Sequence, residues 1–151
     1  MGGLDELRRI LEESGDPGNP TPEEVREIME SVRTIAVVGV SRNPEKAARR
    51  VPSYMASKGY EIIPVNPFID QIFGKEAKDT LAEVVDPVDM VLVFRPSEEA
   101  AEIVTSAAAR PEHPVIWLQE GIRADAETAE ARTQGFKVVQ DLCVYKVHRA
   151  L

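Results

Sequence analysis

Residues 34–39 read Thr-Ile-Ala-Val-Val-Gly, an apolar, β-branched run that stops at a glycine and continues towards a helical segment. Such a run suits a strand buried on both faces, which occurs mainly in parallel sheets covered by helices. Gly39 lets the chain turn sharply with little steric hindrance, and nucleotide phosphates commonly sit at this kind of strand-to-helix junction. Between Arg42 and Arg50 the chain then carries Arg42, Lys46, Arg49 and Arg50 against Glu45 alone, a local charge of +3 in a protein of net charge −8. The positive loop is a local exception to an acidic chain.

The rest of the sequence repeats the pattern. Apolar segments at 60–65, 90–94, 115–118 and 137–140 predict four more strands, each preceded by a segment of helical spacing or a turn. Leu4, Leu7, Ile10 and Leu11 mark a first helix over 4–13, and the Gly- and Pro-rich stretch 14–20 breaks it. Thr21 followed by Pro22, Glu23 and Glu24 predicts an N-cap and first turn for a second helix reaching Ser31. A third helix carries Ala47, Val51, Tyr54, Met55 and Lys58 on its inner edge and ends at Gly59, with Pro52 as an irregularity inside it. Further helices are expected over 80–85, from a cap at Ser97 through Ala100, Ile103, Val104 and Ala107, from a cap at Asp125 to Gly135, and over 143–151. Strands alternating with helices give an α/β, three-layer Rossmann-like fold with a mostly parallel five-stranded sheet. The expected organisation is a helical extension over 1–32 packed on one domain over 33–151.

With 151 residues, a single domain can bury its core without crosslinks. The acidic balance argues against nucleic acid as a partner, since a basic stripe would be needed to meet the phosphate backbone. No apolar run approaches the ~20 residues that span a bilayer, so no membrane partner is expected. The single Cys143 and the absence of a basic-then-apolar leader make the cytoplasm the expected location.

In a parallel sheet, ligands bind beyond the carboxyl ends of the strands. Those ends read Gly39-Val40-Ser41-Arg42, Val65-Asn66-Pro67, Phe94-Arg95-Pro96, Gln119-Glu120-Gly121 and Asp141-Leu142-Cys143. A dinucleotide dehydrogenase needs Gly-x-Gly-x-x-Gly after the first strand and a carboxylate after the second. Here Ser41 stands where the second glycine belongs, and the second strand ends in Asn66-Pro67. The Gly-Lys-Ser/Thr of a triphosphate-binding loop is also missing. Coenzyme A, with a pyrophosphate and a ribose 3′-phosphate, fits a basic helix N-terminus, although four basic residues on a helix are equally consistent with a solvated face.

Four segments in order, residues 34–41, 59–67, 88–96 and 115–121, resemble the stand-alone CoA-binding protein family, whose fold is similar to the N-terminal CoA-binding domain of the succinyl-CoA synthetase alpha subunit. The resemblance runs from about Arg33 to the C-terminus. It implies that Gly39, Val40 and Ser41 wrap the phosphates, with Arg42 and Lys46 as charge partners. It further implies that Val65, Asn66 and Pro67 flank adenine and ribose, that Phe94, Arg95 and Pro96 border the nucleotide, and that Gln119 and Gly121 line the way to the pantetheine arm. The chain departs from the family in having Val40 where alanine is common and Leu142 where an arginine often precedes the final cysteine. The cofactor implied is coenzyme A or an acyl-CoA, bound by a non-catalytic sensor or carrier module whose protein partner is unknown. The synthetases rely on a further phosphohistidine domain and a second subunit, for which 151 residues leave no room.

Individual side chains leave alternatives open. Cys143 suits either apolar packing or a mixed disulfide with the CoA thiol. Arg95 suits either an ion pair with Glu98 or Glu99 or contact with ligand. His113 and His148 have no recognisable base or metal partner in the sequence, and no catalytic or metal-binding set stands out. The competing readings are an enzyme acting on a CoA thioester and an NAD-responsive regulatory domain.

Overall fold

The computed structural model describes residues 2–151. Five strands, β1 (Thr34–Val38), β2 (Glu61–Val65), β5 (Met90–Val93), β6 (Val115–Leu118) and β7 (Val138–Val139), form one sheet of order β2-β1-β5-β6-β7. Every pairing in it is parallel. The chain is therefore an α/β, three-layer Rossmann-like fold. A small antiparallel hairpin, β3 (Gln71–Ile72) and β4 (Lys75–Glu76), lies in the connection after β2. Its tight turn places Phe73 and Gly74 at positive φ, at 56° and 72°.

Alternation along the strands sorts the core onto two faces. Ile35, Val37, Met90, Leu92, Trp117 and Val139 point into one apolar cluster, whereas Ala36, Val38, Val91, Val93, Ile116, Leu118 and Val138 point into the other. The first face is covered by α1 (Gly2–Glu12), α2 (Pro22–Ser31), α3 (Ala47–Ser57) and α6 (Val144–Arg149). The second is covered by α4 (Ser97–Ala108), α5 (Asp125–Thr133) and a short 3-10 turn at Leu81–Glu83. Leu7, Val25, Ile28 and Met29 of the first two helices are buried in the same cluster as Ile35 and Trp117.

The α2 N-terminus follows from local sequence. Thr21 accepts a hydrogen bond from the Glu24 N–H at 3.2 Å while the Glu24 carboxylate accepts from the Thr21 N–H at 2.9 Å, a reciprocal capping box. Two other expected caps are corrected. Ser97 and Asp125 are the first residues of α4 and α5, behind Pro96 and Ala124. Their oxygens have tertiary donors: Ser97 Oγ accepts from the Arg123 N–H at 3.2 Å, and Asp125 Oδ1 accepts from Arg123 Nε and Gln140 Nε2 at 3.0 and 3.1 Å. The helix expected over 80–85 shortens to the single 3-10 turn.

The two-residue β7 is an edge strand, and the 14–20 loop covers its end. Asn19 Nδ2 donates to the Gln140 carbonyl at 3.0 Å and Asn19 Oδ1 accepts from the Gln140 N–H at 2.8 Å, so a side-chain amide substitutes for a sixth strand. Among the described residues no helix is long and apolar enough to cross a membrane.

Candidate functional site

Strand register decides which loops meet. Val38 is level with Val65 on one side and Val93 on the other, and Val93 is level with Leu118. The loops that start at Gly39, Asn66 and Phe94 therefore emerge side by side. The strand order reverses between β1 and β5, because β2 lies on one side of β1 and the chain crosses to the other side to build β5. A crevice is expected at that switch point. A cleft of about 320 Å³ is found there, bordered by Gly39, Val65, Asn66, Pro67 and Arg95.

Gly39 has φ of +92°, and its N–H donates to the Val65 carbonyl at 2.9 Å. A Cβ at this position would lie 2.7 Å from Arg95 Cδ and 3.3 Å from the Phe94 carbonyl carbon. The glycine thus meets two demands: a left-handed backbone and close passage of the Arg95 side chain. Arg95 crosses it to reach Glu99 at 2.7 Å. Both groups are about half exposed, so the pair contributes little to stability and the guanidinium is free to exchange partners.

The loop between β1 and α3 is ordered by its own polar groups. The Asn43 N–H donates to Ser41 Oγ at 3.0 Å, and the Glu45 N–H donates to Asn43 Oδ1 at 2.9 Å. Pro52 explains a further contact. Lacking an N–H, it leaves the Ala48 carbonyl four residues earlier without its helical donor. The Ser41 N–H donates to that carbonyl at 3.1 Å, tying the loop to the helix it precedes. Across the cleft mouth, Asn66 Nδ2 donates to the Val40 carbonyl at 2.8 Å, and Asn66 Oδ1 accepts from the Phe68 N–H at 2.8 Å. Asn66 therefore clasps the loops after β1 and β2.

Three of the four basic residues have neutral partners. Arg42 Nη2 donates to the Gln71 carbonyl at 2.9 Å, Arg49 Nη1 donates to Ser53 Oγ at 2.6 Å and lies over the Phe73 ring, and Arg50 donates to the Glu45 carbonyl. Their positive charge is positioned without being cancelled by a carboxylate. Lys46 is exposed at the N-cap of α3.

The remaining sequence candidates divide between the site and the scaffold. Phe94 is half-buried against the core, and Pro96 caps α4. Val40 is fully buried, so only its backbone serves the loop. Gln119 is buried, with Oε1 accepting from the Val144 N–H at 2.8 Å at the start of α6. Gly121 has φ of +85° and donates its N–H to Asp141 Oδ1 at 2.6 Å. Of the residues expected at the site, Gly39, Val65, Asn66, Pro67 and Arg95 border the cleft, whereas Val40, Ser41, Arg42, Lys46, Phe94, Pro96, Gln119 and Gly121 do not. Cys143 is half-buried at the N-cap of α6 and also lies outside it.

His148 accepts or donates a 2.7 Å hydrogen bond with the Tyr54 hydroxyl on the α3–α6 seam. Burial, and secondarily the Lys58 charge, lower its pKa below the ordinary histidine value. His113 stacks on Phe136 with ring centroids 4.1 Å apart.

Much of the cleft lining lies outside the strand-end motifs. Phe68, Asp79, Thr80, Leu81, Ala82, Glu99, Glu102, Ile103 and Ser106 also border it. Of these, only Phe68 directly follows a strand-end motif, and that adjacency was the available signal. The others come from the 79–82 segment and the outer turns of α4, which register and packing bring to the crevice.

The sequence profile of the CoA binding domain family matches residues 33–149. The chain belongs to the CoA-binding domain family. The chain is 38% identical over 130 residues to the uncharacterized protein YneT of Bacillus subtilis, covering 86% of this chain and 96% of the relative. A solved Thermus thermophilus structure has 34% identity and a TM-score of 0.79, covering 85% of this chain and 98% of its own. A hypothetical protein from Pyrococcus horikoshii superposes with a TM-score of 0.83 at 27% identity, covering 92% and 97% of the two chains.

Proposed function

We propose that this protein holds coenzyme A or an acyl-CoA in the cleft beyond β1, β2 and β5. In this reading it is a sensor or carrier that presents the ligand to another protein without transforming it. The observation that carries the reading is the crevice at the switch point, where the Gly39 turn passes under Arg95 and continues into the uncancelled cations of the β1–α3 loop and the first turn of α3. Its 320 Å³ lies at the lower end of the ~300–1,000 Å³ of small-molecule sites. That volume suits the nucleoside end of CoA, with the pyrophosphate and pantetheine lying along the surface towards Arg42 and Lys46.

Thr80 and Ser106 are the hydroxyl-bearing side chains of the cleft lining and Asp79, Glu99 and Glu102 its carboxylates, so the competing enzyme reading rests on a cleft carboxylate. Titration calorimetry with CoA, dephospho-CoA and acetyl-CoA, followed by an assay for thiol release from acetyl-CoA, tests both parts. The expected result is micromolar binding, about −8 kcal/mol, with no thiol released. Absence of heat and of any thermal shift with all three ligands refutes the binding reading, and steady thiol release replaces the carrier with a thioesterase-type enzyme.

A further inference from the structure

Among the described residues, Phe68 is the most exposed large apolar side chain, with 93% of its surface open to solvent. It stands at the lip of the cleft on a turn that is pinned on both sides. Its own N–H is held by Asn66 Oδ1 at 2.8 Å, Asn66 Nδ2 is fixed to the Val40 carbonyl, and the following Ile69 is buried. The ring is thus carried on a fixed backbone at a place where solvent exposure gives it no packing role.

The charges bordering the same cleft point to what covers the ring. Asp79, Glu99 and Glu102 contribute three carboxylates there, against Arg95 alone, which pairs with Glu99. This lining repels phosphate, while its carboxylates accept hydrogen bonds from amino and hydroxyl groups. Arg42 and Lys46, which attract phosphate, lie on the β1–α3 loop. An exposed aromatic face beside hydrogen-bond acceptors is suited to a nucleoside base, because every base offers a π-face for stacking.

We propose that Phe68 is the stacking platform for the adenine of the bound nucleotide. The assignment rests on the CoA-binding reading above and adds a specificity-determining residue to it. Calorimetry with CoA and with 5′-AMP on the wild type, Phe68→Ala and Phe68→Trp tests it, with thermal midpoints confirming that all three are folded. Stacking predicts that Phe68→Ala weakens both ligands about tenfold or more. It also predicts that Phe68→Trp retains binding and that its new indole emission is quenched at saturation, above the constant background of the buried Trp117.

If the wild type binds CoA, Phe68→Ala binds it within about twofold and the indole emission is unchanged, the platform is overturned and CoA binding stands. If 5′-AMP binds with the same Phe68 dependence and CoA does not bind, the platform stands and the CoA reading fails. If the wild type binds neither ligand, both fail.

Discussion

Gly39 shows how one position can carry two requirements. Alanine there must adopt φ near +92° and place its Cβ 2.7 Å from Arg95 Cδ. Gly39→Ala is expected to lower stability by about 1–3 kcal/mol in urea unfolding and to weaken CoA further by displacing Arg95. Unchanged stability would mean that the turn relaxes freely. The cations make a separate prediction. Reversing Arg42 and Lys46 to glutamate should weaken CoA more than dephospho-CoA if they hold the 3′-phosphate, and both equally if they hold the pyrophosphate. An unchanged affinity for both would remove them from the site. Gly39, Asn66 and Arg95 were legible in the sequence because each lies within two residues of a strand end, where the chain must turn. Glu102 and Ile103 were not, because nothing local distinguishes a helix residue facing a cleft from one facing water.

Elements depend on their neighbours in the same way. Thr21 was legible as a cap because its partner Glu24 lies three residues away, within reach of the local chain. Ser97 and Asp125 look equally suitable in sequence, but Arg123 and Gln140 occupy their oxygens from other elements. The cover over the β7 edge is likewise tertiary, and Asp16 lies at its centre. The buried Asp16 carboxylate accepts from Gln140 Nε2 at 2.9 Å, from the Gly18 N–H at 2.8 Å and from Arg132 at 3.1 Å. Burial alone would raise its pKa, but the hydrogen bonds from Gln140 and Gly18 and the Arg132 charge outweigh it and lower the net value. Its stabilisation is therefore complete above the unfolded carboxylate value of about 3.9 and is lost as pH falls through the lower folded value. Asp16→Asn should cost about 1–3 kcal/mol near neutral pH, and the gap to wild type should close below about pH 4. A gap that stays constant down to pH 2 would show that the charge is not what stabilises the loop.

For the whole molecule, the question is whether 33–151 is self-sufficient. The family match begins at residue 33, yet Leu7, Val25, Ile28 and Met29 fill the same apolar layer as Ile35, Met90 and Trp117. Removing residues 1–32 uncovers that layer, so the shortened chain is expected to lose its cooperative thermal transition, followed by Trp117 fluorescence. A sharp transition within a few degrees of the full chain would make the extension dispensable. By itself the sequence determined the alternation of buried strands with helices, the parallel sheet and the glycine turn, because these follow from apolar periodicity and from the φ demands of the backbone between neighbouring residues. Only the tertiary structure decided which loops meet, how the arginines are held and why Phe68 and three carboxylates border one cleft. Those outcomes depend on strand order and register, which bring together residues separated by tens of positions and leave no local mark in the chain.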